Sequence, residues 1–179
     1  MKTRHNKKWV IEHLVNDTKE KGFTGYIPYD GKYFFNDGCG FMAFLNKDYG
    51  FSQSEKQLPE ARISKVINNN RPNKYDNVAT CSNEYEFVTI KYENLLKMYD
   101  TLMNQHRTLG WNTSIKLGDA YYDVHYILWA CELMNNRWNK NGEFELFYMK
   151  GNKLGAAWFF DHDEIDGDQA ICILPVLHR

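Results

Sequence analysis

Between Thr113 and Val176 five apolar runs follow one another, and their periods leave few ways to fold. The runs are SIKLGDAYYD, VHYILWACELM, EFELFYM, GAAWFF and QAICILPVL, separated by Asn, Lys, Gly and acidic residues. Phe144, Leu146 and Tyr148, and again Ala157 and Phe159, recur at every second position, the period of a strand with one buried and one wet face. Ile127, Leu128, Cys131 and Met134 fall instead on a helical stripe. The stretch reads as strand, helix and three antiparallel strands, and a helix laid across that sheet buries both apolar faces together.

The first part of the chain carries a similar set. Trp9, Val10, His13 and Leu14 share a face and predict a helix over 9–21, with Gly22 at its C-cap. Three short strands over 25–28, 32–35 and 41–45 follow, joined by Asp30-Gly31 and Asp37-Gly38, hairpin dipeptides because glycine accepts positive φ. From about 46 to 84 the sequence turns polar, a long insertion with one helix expected over 59–67, opened by Pro59. It reads either as a surface excursion or as a partner-binding loop. A strand over 86–90 and a helix over 94–105 come next. The expected fold class is α+β: antiparallel sheet covered by helices, one domain over 1–179, arranged as two helix-plus-three-strand halves.

A chain of 179 residues can bury a core without staples, and 22 Lys and Arg against 23 Asp and Glu give no charge argument for a nucleic-acid surface. Cys39, Cys81, Cys131 and Cys172 form no CxxC pair and read as reduced, mostly buried thiols. No leader-like apolar run follows MKTRHNKKW and no run has the length of a membrane span, so the expected compartment is the cytoplasm.

The six histidines show no metal-ligand spacing, and no nucleophile elbow or phosphate-binding glycine loop occurs. No catalytic residue or cofactor is therefore assigned. The chemically loud run is Asp161-His162-Asp163-Glu164-Ile165-Asp166-Gly167-Asp168. It reads as a solvated hairpin turn between two strands, or as a cation site on Asp161, Asp163, Asp166 and Asp168, although Ile165 breaks the register of a calcium loop. Asp119, Asp123 and His125 straddle a strand-to-helix junction, where Asp123 reads first as a helix N-cap. Met1 to Lys8 reads as a frayed, solvated terminus or as a phosphate-contacting arm. Lys7, Lys8, Lys97 and Arg107 are the candidate contacts if DNA is a partner.

From Ser114 onward, a strand with a Gly-Asp turn, Tyr-Tyr-Asp-Val-His-Tyr-Ile-Leu entering a helix, two strands, and a last strand ending Ile171-Cys172-Ile173-Leu174-Pro175-Val176 follow in order. This resembles the final repeat of a bacterial sliding clamp, the β subunit of DNA polymerase III, over residues 114–177 and more weakly over 7–45. The resemblance implies a non-catalytic, clamp-like binding protein of a phage or mobile element that engages DNA or a replication or host-defence protein. Two other classes stay open: an anti-defence inhibitor of a nucleic-acid enzyme, whose acidic 161–168 surface imitates phosphates, and a metal-dependent nuclease using the same run. A homo-oligomer through an edge strand is also compatible with the fold class, with the strand over 169–176 or its neighbour as the candidate edge.

Overall fold

A computed structural model of the chain describes residues 1–17, 25–55, 85–109, 113–135, 141–163 and 167–176, with the backbone alone at 17, 161–163, 167 and 168. The helices are α1 (Lys7–Asp17), α2 (Tyr92–Leu109) and α3 (Val124–Leu133). The strands are β1 (Ile27–Tyr29), β2 (Lys32–Asn36), β3 (Phe41–Leu45), β4 (Tyr85–Lys91), β5 (Ser114–Leu117), β6 (Ala120–Asp123), β7 (Glu143–Met149), β8 (Ala157–Asp163) and β9 (Gly167–Ile173). The expected helix over 59–67, the C-cap at Gly22 and residues 56–84 of the insertion lie outside the described residues.

The class is α+β. Seven strands form one antiparallel sheet in the order β1-β2-β3-β9-β8-β7-β4, and β5 pairs with β6 in a separate hairpin. The run SIKLGDAYYD is therefore two strands: Gly118, at φ 58, makes the turn that the residues on either side cannot make cheaply. Asp30 and Gly31 both have positive φ and close β1 onto β2 at the Tyr29–Lys32 pair, as the Asp-Gly dipeptide predicts. Gly25 answers to a different constraint, because a Cβ there would lie 1.9 Å from the Ser52 carbonyl oxygen. That close approach lets Tyr26 donate to Ser52 and accept from Ser54, tying the start of β1 to the loop after β3.

Two expectations are corrected. The C-terminal strand is interior, paired with β3 on one side and β8 on the other, so among the described residues the edges are β1 and β4. The physical reason lies in its sequence: Ala170, Ile171, Cys172 and Ile173 are all buried, so both faces are apolar and neither tolerates an edge position. The second face of the sheet is wet at β7 and β4, where Glu143, Glu145, Phe87 and Thr89 are exposed as the alternation predicts, but largely buried on the other strands. One face packs Phe35, Leu45, Leu146, Phe159 and Ile171 against Val10, Leu14, Ile127 and Leu128 of the helices. The other buries Ile27, Phe34, Phe44, Trp158 and Cys172. The helix α3 touches both α1 and α2, and it keeps only His125 and Tyr126 partly exposed. It is the apolar centre of the helical layer.

Candidate interaction surfaces

Residues 1–6 are a docked strap, not a frayed lead-in. Asn6 caps α1, its side-chain oxygen accepting from the Trp9 N–H at 2.9 Å. Upstream of it the chain crosses α3 and α2. The backbone N–H of His5 donates to Glu132 Oε1 at 3.1 Å, His5 Nδ1 lies 3.0 Å from Oε2, and Tyr92 Oη donates to Oε1 at 2.6 Å. Tyr92 Oη in turn accepts from the Arg4 N–H at 2.8 Å, and the Arg4 guanidinium pairs with Asp100 and stands 5.3 Å from the centre of the Tyr99 ring. Glu132 is 1% exposed. A carboxylate so enclosed is tolerable only because three donors from two other segments meet it. Burial and the bond to Glu132 push the Tyr92 phenol above its ordinary range.

Aromatic rings fill the seam between the strap, α1 and α3. The Trp9 indole is stacked between the imidazoles of His5 and His13, with centroids 3.7 and 3.6 Å away, and Trp129 and His125 meet edge to face at 4.1 Å. Burial, together with the nearby His5, Arg4 and His13, lowers His125 to about 4, so it is neutral at physiological pH. The cluster is a packed seam of rings, and among the described residues no group of three metal-ligating side chains comes together.

A second buried carboxylate organises the β2–β3 turn. Asp37 Oδ1 accepts from the N–H groups of Cys39, Gly40 and Phe41 at 2.8, 2.9 and 2.9 Å. Its Oδ2 accepts from Tyr126 Oη on α3, which locks the hairpin to the helical layer. Beside it a small apolar pocket of ≈ 160 Å³ is lined by Phe34, Phe41, Met42 and Leu174, with Cys39 exposed at its rim. Cys131 and Cys172 are buried, and burial raises both thiols.

The sequence-predicted site residues are not gathered into one place. Lys7 and Lys8 open α1, while Lys97 and Arg107 are exposed on α2, and the two helices flank α3. Glu12 on α1 and Glu93 and Asp100 on α2 are exposed on the same helices. Asp123 caps α3, accepting from the His125 N–H at 2.8 Å, as its position predicts. Asp119 sits at the opposite end of the β5–β6 hairpin, about 13 Å away along a strand of this length, so the Asp119, Asp123 and His125 constellation does not form. Of the acidic run, Asp161 and Asp163 belong to β8 and Asp168 to β9, where Asp168 is the cross-strand partner of His162. The run is thus partly strand and not wholly a turn, because pairing continues to Asp163–Gly167. Asp166 and the side chains of the other three lie outside the described residues.

Among the described residues the exposed large apolar side chains are Phe87 on β4, Leu109 at the end of α2, Tyr121 on β6 and Leu154 between β7 and β8. A polar cleft of ≈ 630 Å³ runs past Met1, Lys2, Lys91 and Glu93 at the start of α2. Among the described residues no helix is long and apolar enough to cross a membrane. Comparison with protein-family models, with curated sequences and with solved structures gave no match to this chain.

Proposed function

We propose that this chain is a non-catalytic, clamp-like binding protein whose partner is a protein of replication or host defence. The observation that carries this reading is the use made of the enclosed carboxylates. Asp37 and Glu132 each hold two parts of the fold together through hydrogen bonds, and Asp123 caps α3, leaving all three committed to structure. The large apolar side chains at Phe87 and Leu154, by contrast, stand in solvent, where a protein partner would cover them. The clamp-like description is supported by the order of elements. A helix followed by three consecutive antiparallel strands occurs at α1-β1-β2-β3 and again at α3-β7-β8-β9, and β3 and β9 join the two sets.

A protein partner is favoured over bare DNA by the charge pattern. Lys8, Lys97 and Arg107 share their helices with Glu12, Glu93 and Asp100, and Arg4 is already paired. Phosphate binding through several cations weakens steeply with salt, by a factor of about 10³ or more between roughly 50 and 200 mM when many contacts form. Fluorescence anisotropy with duplex DNA is expected to show no such salt-steep binding, and incubation of nucleic acid with Mg²⁺ or Mn²⁺ is expected to show no cleavage. Binding that falls steeply with salt and is lost in a Lys8→Glu, Lys97→Glu double variant would transfer the assignment to DNA. Cleavage lost in Asp161→Ala, Asp163→Ala would transfer it to a nuclease.

A further inference from the structure

We infer that the strap is an acid-released latch: a proton taken up by His125 frees residues 1–6 from α2 and α3 while the sheet and the helices stand. The strap's polar hold converges on one carboxylate. The His5 N–H donates to Glu132, and the His5 ring lies 3.0 Å from its second oxygen. The Arg4 N–H donates to the Tyr92 hydroxyl, which is itself bonded to Glu132. The pair of Arg4 with Asp100 is exposed on both sides, where an ion pair contributes little. Met1 adds one more bond, its carbonyl accepting from Asn135.

His125 lies under this hold among groups that carry or take up positive charge. Arg4 and His125 stand against the same Tyr99 ring, 5.3 and 5.4 Å from its centre. Burial opposes a charge on His125, and so do His5 and Arg4 of the strap and His13 of α1. The carboxylates nearby are engaged elsewhere: Asp100 with Arg4, Glu132 with His5 and Tyr92, and Asp123 with the His125 backbone N–H. Farther along α2, His106 and Arg107 act on Asp123 and Tyr99. Lifting the strap removes Arg4 and His5 and lets water reach the ring. His13 stays, because Val10 and Leu14 hold α1 in the core. The open form then takes up a proton near the ordinary value of about 6.5, whereas the docked form resists it until about 4. The proton therefore favours the open form. Opening increases as pH falls between those two values, by about 300-fold if His125 recovers fully and by at least about tenfold with His13 still beside it. Outside that window this group adds no further change.

Amide exchange followed by NMR reads the opening even when few molecules are open, because the Arg4 and His5 N–H groups are both bonded in the docked form. After division by the intrinsic rate at each pH, protection at these two amides is expected to fall at least about tenfold from about pH 6.5 to about pH 4.5. Amides in the middle of α3 are expected to stay at least about a hundredfold better protected than those of the strap at every pH, which marks a local opening. His125→Gln should hold the protection of Arg4 and His5 level over the same range. In the wild type the His125 ring should titrate well below about 6.5. A fall in His125→Gln as large as in the wild type would assign the release to the carboxylates and overturn the proposal. So would level protection in the wild type, strap amides as protected as those of α3, or a His125 ring that titrates at the ordinary value.

Discussion

The two faces of the seven-stranded sheet are held by different means. Against the helices, aliphatic packing is interleaved with directional polar links, Asp37 to Tyr126 and Glu132 to Tyr92 and His5, each joining segments far apart in sequence. On the other face the contacts are mostly ring on ring, and a buried indole N–H without a hydrogen-bond partner among the described residues occurs on both sides, at Trp158 here and at Trp129 in the helical layer. The first arrangement fixes one geometry, since moving any element strands a buried polar group. The second tolerates exchange of apolar shapes as long as volume is kept. Specificity of the fold therefore resides mainly on the helical side.

The largest test of this contrast is Trp158→Ala. Removing a fully buried indole should cost about 4 kcal/mol, measured by urea unfolding, with a cooperative transition retained if that face contributes volume and little direction. Asp37→Ala should cost somewhat less, about 3 kcal/mol, because three backbone donors and a tyrosine hydroxyl lose their acceptor while little volume is lost. Asp37→Asn should recover part of it, as one acceptor oxygen remains. A cost for Asp37→Ala below that of an ordinary surface substitution would remove the polar lock from the account.

Tyr92→Phe keeps the ring and deletes one donor to Glu132, and about 1–2 kcal/mol should be lost. The strap should loosen with it, seen as faster amide exchange at Arg4 and His5. A pH effect of similar size is expected from His125. The unfolded chain takes up a proton near the ordinary histidine value of about 6.5, whereas the folded chain resists it until about 4. Stability should therefore fall as pH drops through that window, by about 2 kcal/mol once partial exposure is allowed for, with no further loss from this group below it. Asp123, whose carboxyl is raised by burial, acts in the opposite sense, so the comparison with His125→Gln at each pH isolates the imidazole. The smallest effect should come from Trp158→Phe. It deletes the unpartnered N–H along with some volume, and the two changes should leave stability within about 1 kcal/mol of wild type.

The candidate site was legible only in part. Asp123 as a cap and Asp30-Gly31 as a turn depend on residues within two or three positions, and the structure places both as the local pattern predicts. Glu132 carried no such signal. On a helix stripe of apolar neighbours it reads as one polar residue among many, and its partners His5 and Tyr92 lie 127 and 40 positions away. The strap looks frayed in sequence for the same reason: Lys2, Arg4, Lys7 and Lys8 describe solubility, while docking depends on Asp100 and Glu132 being in reach.

Local period and turn chemistry, both properties of short windows, determined which segments are helix and which are strand, and with them the α+β class. They could not determine neighbours. That β9 lies between β3 and β8, that the second sheet face is buried under most strands, and that β4 pairs with β7 were decided by contacts between segments distant in sequence, β3 and β9 over a hundred residues apart, because hydrogen-bond partners and shared cores are chosen by the whole chain and leave little trace in any one part of it.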